Sequence, residues 1–122
     1  MEITKNHKSH LILNIMNGDS PIEKSIMFVK VASSFLKLEN AIGIYKYPTV
    51  IPADQFVENA EEIKEGNIPL INLIYFGVYR NNEEISGYTY GLNFFGKDEI
   101  EVIKSKEDYI NVFEFLYPEC YN

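Results

Sequence analysis

The hydrophobic residues of this chain fall into short periodic segments that are separated by polar turns. The first apolar run, 11–16, stops at an Asn-Gly turn and has the length of a strand. The next segment opens with Ser20, Pro21 and Glu23, which supply a capping hydroxyl, a proline at the first helical position and a glutamate three residues after the cap. The apolar residues that follow at helical spacing predict a helix as far as Leu36.

The middle of the chain predicts a strand, a helix and a longer strand. Residues 41–47 are apolar and aromatic, and Pro48 closes them. Residues 52–64 keep their apolar positions at helical spacing, and Gly66 is expected to end that helix. Residues 69–80 form the most apolar run and largely lack alternation, which is typical of a central strand covered on both faces.

The last third of the chain predicts two more strands and a helix. Residues 87–95 alternate in character and are expected to form the return strand of the 69–80 segment. After a turn at 96–98, residues 99–103 predict a short fifth strand. A second capping signature at 105–108 predicts a final helix, which Pro118 should stop.

This order of elements predicts an α+β fold in a single domain, residues 1–122. We expect one mostly antiparallel sheet of about five strands, with two to three helices packed mainly on one face. A chain of 122 residues is too short for two ordinary domains. Hydrophobic residues make up 46% of it, enough to fill a core, so intrinsic disorder is not expected.

The charge balance and the cysteine content narrow the class of protein. Eleven Lys and Arg residues against 18 Asp and Glu residues give a net charge of -7, the wrong sign for binding nucleic acid or anionic lipid. The single cysteine, Cys120, excludes an intrachain disulfide, and the first apolar run is too short for a signal-peptide core or a membrane span. These features predict a cytoplasmic protein.

The block from Gly87 to Val102 carries the most specific pattern in the chain. It resembles the signature of a bacterial family catalogued as domain of unknown function 4261. The segment 7–11 and the Pro-Leu pair before the long apolar run are also similar to that family. The residues that carry the resemblance in the block are Thr89, Gly91, Leu92, Phe95, Gly96, Lys97, Glu99 and Glu101.

The resemblance implies a fold and a bacterial cytoplasmic setting, and it gives the role only in outline. Some members of the family look like immunity proteins of bacterial toxin systems. Members continue past the last helix into further strands, whereas this chain ends at Asn122. On this resemblance we expect the chain to be a short or a truncated member.

Two features that suggest chemistry are better explained by structure. Residues 91–98 differ from a phosphate-binding loop because Asp98 stands where Ser or Thr would bind magnesium, and the segment leads to a strand instead of a helix. We therefore expect no nucleotide and no other cofactor. Cys120 follows Pro118 near the chain end, where a nucleophile with an adjacent base is not expected.

Two histidines and two glutamates are the candidates for a metal or catalytic site. His7 and His10 are three residues apart and can share a metal ion if their segment is helical or a turn. Glu99 and Glu101 are two apart on a predicted strand, which places both carboxylates on one face. Together they define an alternative function, a small metal-dependent hydrolase. We favour the absence of a metal site, since such a site needs a convergent set of ligands that this spacing does not specify. For the two glutamates we favour a charge pair on an edge strand, which prevents aggregation, over a catalytic pair.

Because the sequence shows no complete catalytic set, we predict a protein that is not an enzyme. The net charge, an acidic helix face and tyrosine-rich strands predict a domain that binds another, basic protein. Its specific form would be an immunity or inhibitor protein that docks on a toxin. A further alternative is a homodimerising structural domain, with the apolar strand 70–78 paired between two copies. The predicted contact residues are Glu58, Glu61, Glu62, Glu65, Tyr88, Tyr90, Glu99 and Glu101.

Overall fold

The computed structural model describes residues 5–120, and the chain divides into two compact units, Met1–Leu73 and Ile74–Asn122. Both units contain helices and antiparallel strands, which confirms the α+β prediction. The strands form two separate sheets, one of two strands and one of three. The expectation of a single five-stranded sheet is therefore wrong, because two of the segments predicted as strands fold differently.

The first of these segments is the apolar run 11–16, which contains no strand. Leu11, Ile12 and Met16 are 65%, 81% and 76% exposed, so the run does not contribute these side chains to a core. A strand is stable only when a neighbouring strand satisfies its backbone groups, and a short apolar run does not supply that neighbour.

The N-terminal unit opens with helix α1 (Pro21–Leu36), which begins as the sequence predicts. The Ser20 side chain accepts a hydrogen bond from the backbone N–H of Glu23 at 3.3 Å, and Pro21 occupies the first turn. The cap satisfies one of the amides that have no partner inside the helix. Val29 and Ala32 lie on the buried side of the helix.

A two-stranded hairpin follows α1. Strands β1 (Gly43–Lys46) and β2 (Thr49–Pro52) pair antiparallel, and Tyr45 lies opposite Val50. The apolar pattern at 41–47 predicts the first strand but not its short return strand. Helix α2 (Ala53–Ala60) comes next and continues into a 3-10 helix (Glu61–Glu65). Gly66 ends it with a φ of 83°, a left-handed conformation that glycine adopts readily.

The apolar run 69–80 is divided between two elements, which is the second reason for the separate sheets. Its first part forms the short helix α3 (Leu70–Leu73), and only the second part is a strand. Asn72 is 1% exposed, and its side-chain amide donates to the carbonyl of Phe56 at 2.9 Å and accepts from Asn59 at 3.0 Å. These hydrogen bonds to α2 satisfy the one polar side chain in α3 and tie the two helices together.

The C-terminal unit is a three-stranded antiparallel sheet with a helix on one face. Strands β3 (Tyr75–Asn81), β4 (Glu84–Tyr90) and β5 (Glu101–Ser105) lie in the order β3-β4-β5. Helix α4 (Tyr109–Glu119) is capped by Asp108, whose side chain accepts from the N–H of Asn111 at 2.8 Å. The capping signature at 105–108 implies Ser105 as the cap, but Ser105 is the last residue of β5. The core between sheet and helix contains Ile85, Val112 and Leu116, flanked by Phe76, Val78, Ile100 and Val102.

Gly87 allows α4 to approach the sheet closely. A Cβ at this position would lie 2.8 Å from Val112 Cγ1 and 2.9 Å from Leu116 Cδ1. Pro118 lies inside α4, which continues to Glu119. The prediction that Pro118 stops the helix is therefore wrong by one residue. None of the helices within residues 5–120 combines the length and apolar character that crossing a bilayer requires.

Candidate partner-binding surfaces

The Glu99 carboxylate is held by a hydrogen-bond network at the end of the three-stranded sheet. One oxygen accepts from Thr89 Oγ1 at 2.7 Å, and the other accepts from the backbone N–H of Gly91 at 2.7 Å and of Asn93 at 3.3 Å. Thr89 Oγ1 also accepts from the N–H of Ile100 at 2.9 Å. Desolvation raises the pKa of Glu99, but the hydrogen bonds outweigh it, and the pKa lies below its ordinary value.

This network shows what the distinctive block of the sequence does in the structure. The predicted strand 87–95 ends at Tyr90, and a 3-10 helix (Leu92–Phe95) replaces its second half. Gly91 and Gly96 flank that helix with φ angles of 121° and 74°. Glu99 binds backbone amides at the start of the 3-10 helix, so it stabilises a loop. The sequence does not reveal this role, because the fold of the chain determines which groups Glu99 meets.

Glu99 and Glu101, which the sequence predicts as a pair on one strand face, have different surroundings. Strand β5 begins at Glu101, so Glu99 precedes the strand, contrary to the prediction that 99–103 is one strand. Glu101 is exposed and lies opposite Tyr88 in the sheet. Only Glu101 of the two is therefore placed on the face of the sheet opposite α4.

The predicted metal ligands His7 and His10 and the thiol of Cys120 do not form a metal site in the described part of the chain. His7 and His10 are exposed, in a segment that is neither helix nor strand. Within residues 5–120, no three His, Cys, Asp or Glu side chains lie close enough to share a metal ion. Cys120 is buried, its thiol donates to the carbonyl of Leu116 at 3.3 Å, and burial raises its pKa.

The face of the three-stranded sheet opposite α4 is rich in tyrosine. Directly paired residues of antiparallel strands share a face, so the strand register defines this surface, which we call the tyrosine face. Tyr79 and Tyr90 are 49% and 47% exposed, and Tyr88 is 36% exposed. The paired positions on this face are Tyr75, Gly77, Tyr79, Asn81, Glu84, Ser86, Tyr88, Tyr90 and Glu101, and alternation along β5 adds Ile103, which is 65% exposed.

The rings of Tyr75 and Tyr79 both contact the Tyr88 ring near Gly77. A Cβ at Gly77 would lie 2.4 Å from Tyr88 Cε1, so the outer end of the Tyr88 ring occupies the space above this glycine. Tyr75 and Tyr79 flank the ring with centroid distances of 5.9 and 6.3 Å and interplanar angles of 57° and 60°. The Tyr88 ring therefore lies between two tilted rings.

A second candidate surface is an open groove of about 580 Å³ in the N-terminal unit, which we call the acidic groove. The end of α1, the segment before β1 and one side of α2 form its walls. Ile42, 39% exposed, contributes to an apolar floor. The lining residues are Leu36, Lys37, Ala41, Ile42, Ala53, Asp54, Val57, Glu58 and Glu61.

Three carboxylates follow one side of the acidic groove. Asp54, Glu58 and Glu61 are spaced four and three residues apart, which places them on one stripe of a helix. Asp54 was not among the predicted contact residues, although this spacing could have identified it. Glu62 and Glu65, which were predicted together with Glu58 and Glu61, do not line the groove.

Basic side chains compensate only part of this charge. Glu61 accepts a hydrogen bond from Lys64 at 2.5 Å, and this bond together with the nearby positive charges of Lys64 and Lys37 lowers its pKa. Lys37 is the one cationic residue among the lining residues, against three carboxylates. The groove therefore combines apolar surface with a net negative charge.

Comparisons with known proteins do not assign the chain to a group. No protein-family model, no curated protein and no solved structure matches it. The resemblance of the block 87–102 to the family catalogued as domain of unknown function 4261 stays a prediction. Inference about function therefore depends on the two surfaces described above.

Proposed function

We propose that this protein is a non-catalytic binding domain that docks on a basic protein through its acidic groove. The observation that carries the proposal is the combination, in one groove, of an apolar floor and a row of three carboxylates. Either feature alone is common on protein surfaces. Together they favour a partner segment that presents an apolar side chain next to lysine or arginine.

The apolar floor supplies the contact energy in this proposal. Binding energy at protein interfaces is concentrated where an apolar side chain fills a desolvated pocket. Ile42 and Leu36 are both accessible to a partner at this site, and the volume of about 580 Å³ is enough for side chains of an inserted segment. Burial of Ile42 under the partner would remove apolar surface from water.

The carboxylates select the sign of the partner's charge. Asp54, Glu58 and Glu61 would attract a basic segment and repel an acidic one. The net charge of -7 on the whole chain adds a longer-range attraction that steers the encounter and weakens as salt rises. Docking of this kind requires no catalytic group in the protein.

The predicted family resemblance supports a more specific form of the proposal. Under it, the protein is a bacterial immunity or inhibitor protein, and the basic partner is a toxin whose functional surface is covered on binding. A nuclease toxin would be basic because its substrate carries a phosphate backbone. This identity rests on the resemblance, whereas the basic character of the partner rests on the groove.

The experiment is affinity capture with matched charge variants, followed by mass spectrometry. The bait proteins are the wild type, the groove variant Glu58→Gln/Glu61→Gln and the control variant Glu62→Gln/Glu65→Gln, which loses the same charge outside the groove. We expect a near-stoichiometric basic protein with the wild type and the control, and its loss with the groove variant. Equal capture by both variants, or an acidic partner, would contradict the proposal.

A further inference from the structure

A segment of this same chain has the chemistry that the acidic groove selects. Residues 5–12, which we call the basic arm, contain two lysines, two histidines and no aspartate or glutamate, and they end in Leu11 and Ile12. Lys5 and Lys8 are exposed, and the two apolar side chains are 65% and 81% exposed. The arm therefore presents cations next to apolar surface, in a chain whose net charge is -7.

The basic arm is not part of a helix or a strand of its own chain. Within residues 5–120, the backbone of 8–16 makes no hydrogen bond, and neither Lys5 nor Lys8 forms an ion pair. A segment of this kind can enter a groove without unfolding any element. Extended segments with exposed side chains are a common form of peptide ligand.

Two carboxylates of the acidic groove lack a basic partner. Lys64 contacts Glu61, and the positive charges of Lys64 and Lys37 both act on that carboxylate. Asp54 and Glu58 form no ion pair with any residue in the part of the chain that the structure describes. Cations from another molecule can therefore pair with Asp54 and Glu58.

The dimensions of the basic arm and the acidic groove agree. The row of carboxylates from Asp54 to Glu61 runs about 10 Å along α2, at 1.5 Å per residue. An extended chain covers about 13 Å from Lys8 to Ile12. A lysine and an apolar side chain of the arm thus fit in one groove, whose volume of about 580 Å³ is large enough for both.

A similar pair of residues on β5 is a poorer occupant. Ile103 is 65% exposed and is followed by Lys104. The backbone N–H of Lys104 donates to Ser86 Oγ at 3.1 Å, so this segment is held in the sheet. Glu101 and Glu107 flank the segment and offset its positive charge. The basic arm combines the same chemistry with neither restriction.

The arrangement of arm and groove favours contact between two copies of the chain. Both lie in the N-terminal unit, but no residue of the arm lines the groove of its own chain. Each copy has one arm and one groove. Reciprocal exchange between two copies fills both grooves and closes the assembly, whereas one-way docking would leave an arm and a groove unoccupied.

We propose that the acidic groove binds the basic arm of a second copy of this chain, in a reciprocal homodimer. The lysines of the arm pair with Asp54 and Glu58, and Leu11 and Ile12 cover the apolar floor at Ile42. This inference rests on the proposed function, because it uses the same groove, and it names one occupant of that groove. A foreign basic protein would compete with the arm, so its binding would separate the dimer.

The experiment is sedimentation equilibrium of the untagged full chain at low and high salt. We expect a monomer–dimer equilibrium that shifts to monomer as salt rises. The arm variant Lys5→Gln/Lys8→Gln and the groove variant Asp54→Asn/Glu58→Gln should each raise the dimer dissociation constant about two- to thirtyfold. The controls Lys104→Gln/Lys106→Gln and Glu62→Gln/Glu65→Gln make the same changes of charge outside the arm and the groove, and should leave it unchanged. Circular dichroism checks that every variant is folded.

An exchange of charges shows whether the contact forms between two copies. Lys5→Glu/Lys8→Glu has an acidic arm and an acidic groove, and Glu58→Lys/Glu61→Lys has a basic arm and a groove of reversed charge. Each variant alone should be monomeric, and an equimolar mixture of the two should form a heterodimer. A mixture that stays monomeric would overturn the proposal.

The outcomes distinguish this inference from the proposed function. A wild type that is monomeric at low salt, or a dimer that the arm and groove variants leave unchanged, would overturn this inference. Groove-dependent capture of a foreign basic protein would still support the proposed function in that case. A dimer that depends on arm and groove, with no foreign protein captured, would support this inference and contradict the proposed function.

Discussion

The Tyr88 ring occupies the space that any side chain at Gly77 would need, since a Cβ at Gly77 would lie 2.4 Å from Tyr88 Cε1. Gly77 is thus the position that lets the central ring of the tyrosine face lie close to the sheet. The relationship links a backbone position in β3 to the shape of a surface. It also supplies a test in which the two residues must be changed together.

Gly77→Ala is expected to destabilise the protein by about 1–3 kcal/mol, because the added methyl group forces the Tyr88 ring to move. Urea unfolding followed by circular dichroism measures the change. In the background of Tyr88→Ala the same substitution should cost much less, since the clashing ring is absent. Equal costs in the two backgrounds would show that the ring and the glycine do not compete for this space.

Glu99→Gln is expected to lower the free energy of unfolding by about 1–2 kcal/mol at neutral pH, because the charged acceptor of three hydrogen bonds is lost. Glu101→Gln is the matched control, with the same change of charge on a neighbouring exposed residue. It should change stability by less than about 0.5 kcal/mol. A larger effect of Glu101→Gln would contradict the role assigned to the Glu99 network.

The same residue predicts part of the acid sensitivity of the protein. The folded-state pKa of Glu99 lies below its ordinary value of 4.5, so the unfolded chain takes up the proton first as the pH falls. Its stabilising contribution is therefore complete above pH 4.5 and is lost as the pH falls below it. Urea unfolding of the wild type and of Glu99→Gln across this range should give stabilities that converge at low pH. A constant difference would contradict the shift.

Asn72→Leu is expected to destabilise the protein by about 1–3 kcal/mol, since both hydrogen bonds between the buried amide and α2, to the Phe56 carbonyl and from the Asn59 side chain, are lost. Urea unfolding measures this cost. Asn111→Leu makes the same chemical change on the exposed side of α4, where it removes only a surface hydrogen bond to Glu107. If the two variants lose stability equally, the buried amide does not hold α2 and α3 together.

Cys120 is expected to react slowly with a thiol reagent in the folded protein. Its thiol is buried and its pKa is raised by burial, so both access and the thiolate fraction are low. Reaction with Ellman's reagent at pH 8 should be at least about tenfold slower than for the urea-denatured chain at the same pH. Equal rates would show that the end of α4 opens freely.

Local signals in the sequence predicted part of this fold correctly. The capping residue Ser20 and the stop at Gly66 act through neighbours within a few positions, so their roles are visible in the sequence. The signature at 105–108 predicts the last helix but not its cap, because Ser105 ends β5 and Asp108 caps the helix instead. The run 69–80 was misassigned because a tertiary contact decides it. Asn72 is satisfied by Phe56 and Asn59, and this contact accompanies a helical turn where apolar composition alone indicated a strand.

The sequence predicts some residues of each candidate surface, but it does not show which other residues complete the surface. Tyr88, Tyr90 and Glu101 were named from strand alternation, and the register does place them on one face. The sequence predicts Glu58 and Glu61 as contact residues but does not predict the acidic groove itself. Lys37 and Ile42, which also line it, come from a different part of the chain. Separation along the sequence conceals such a groove until the helices are packed.

The central claim, docking of a basic partner in the acidic groove, is tested most directly by hydrogen exchange on the complex with the captured partner. Amides from the end of α1 to β1 and along α2 should exchange more slowly when the partner is bound. The Glu62→Gln/Glu65→Gln variant should show the same protection, and Glu58→Gln/Glu61→Gln should show it only at higher partner concentration. Protection that avoids residues 36–42 and 53–61 would contradict the claim.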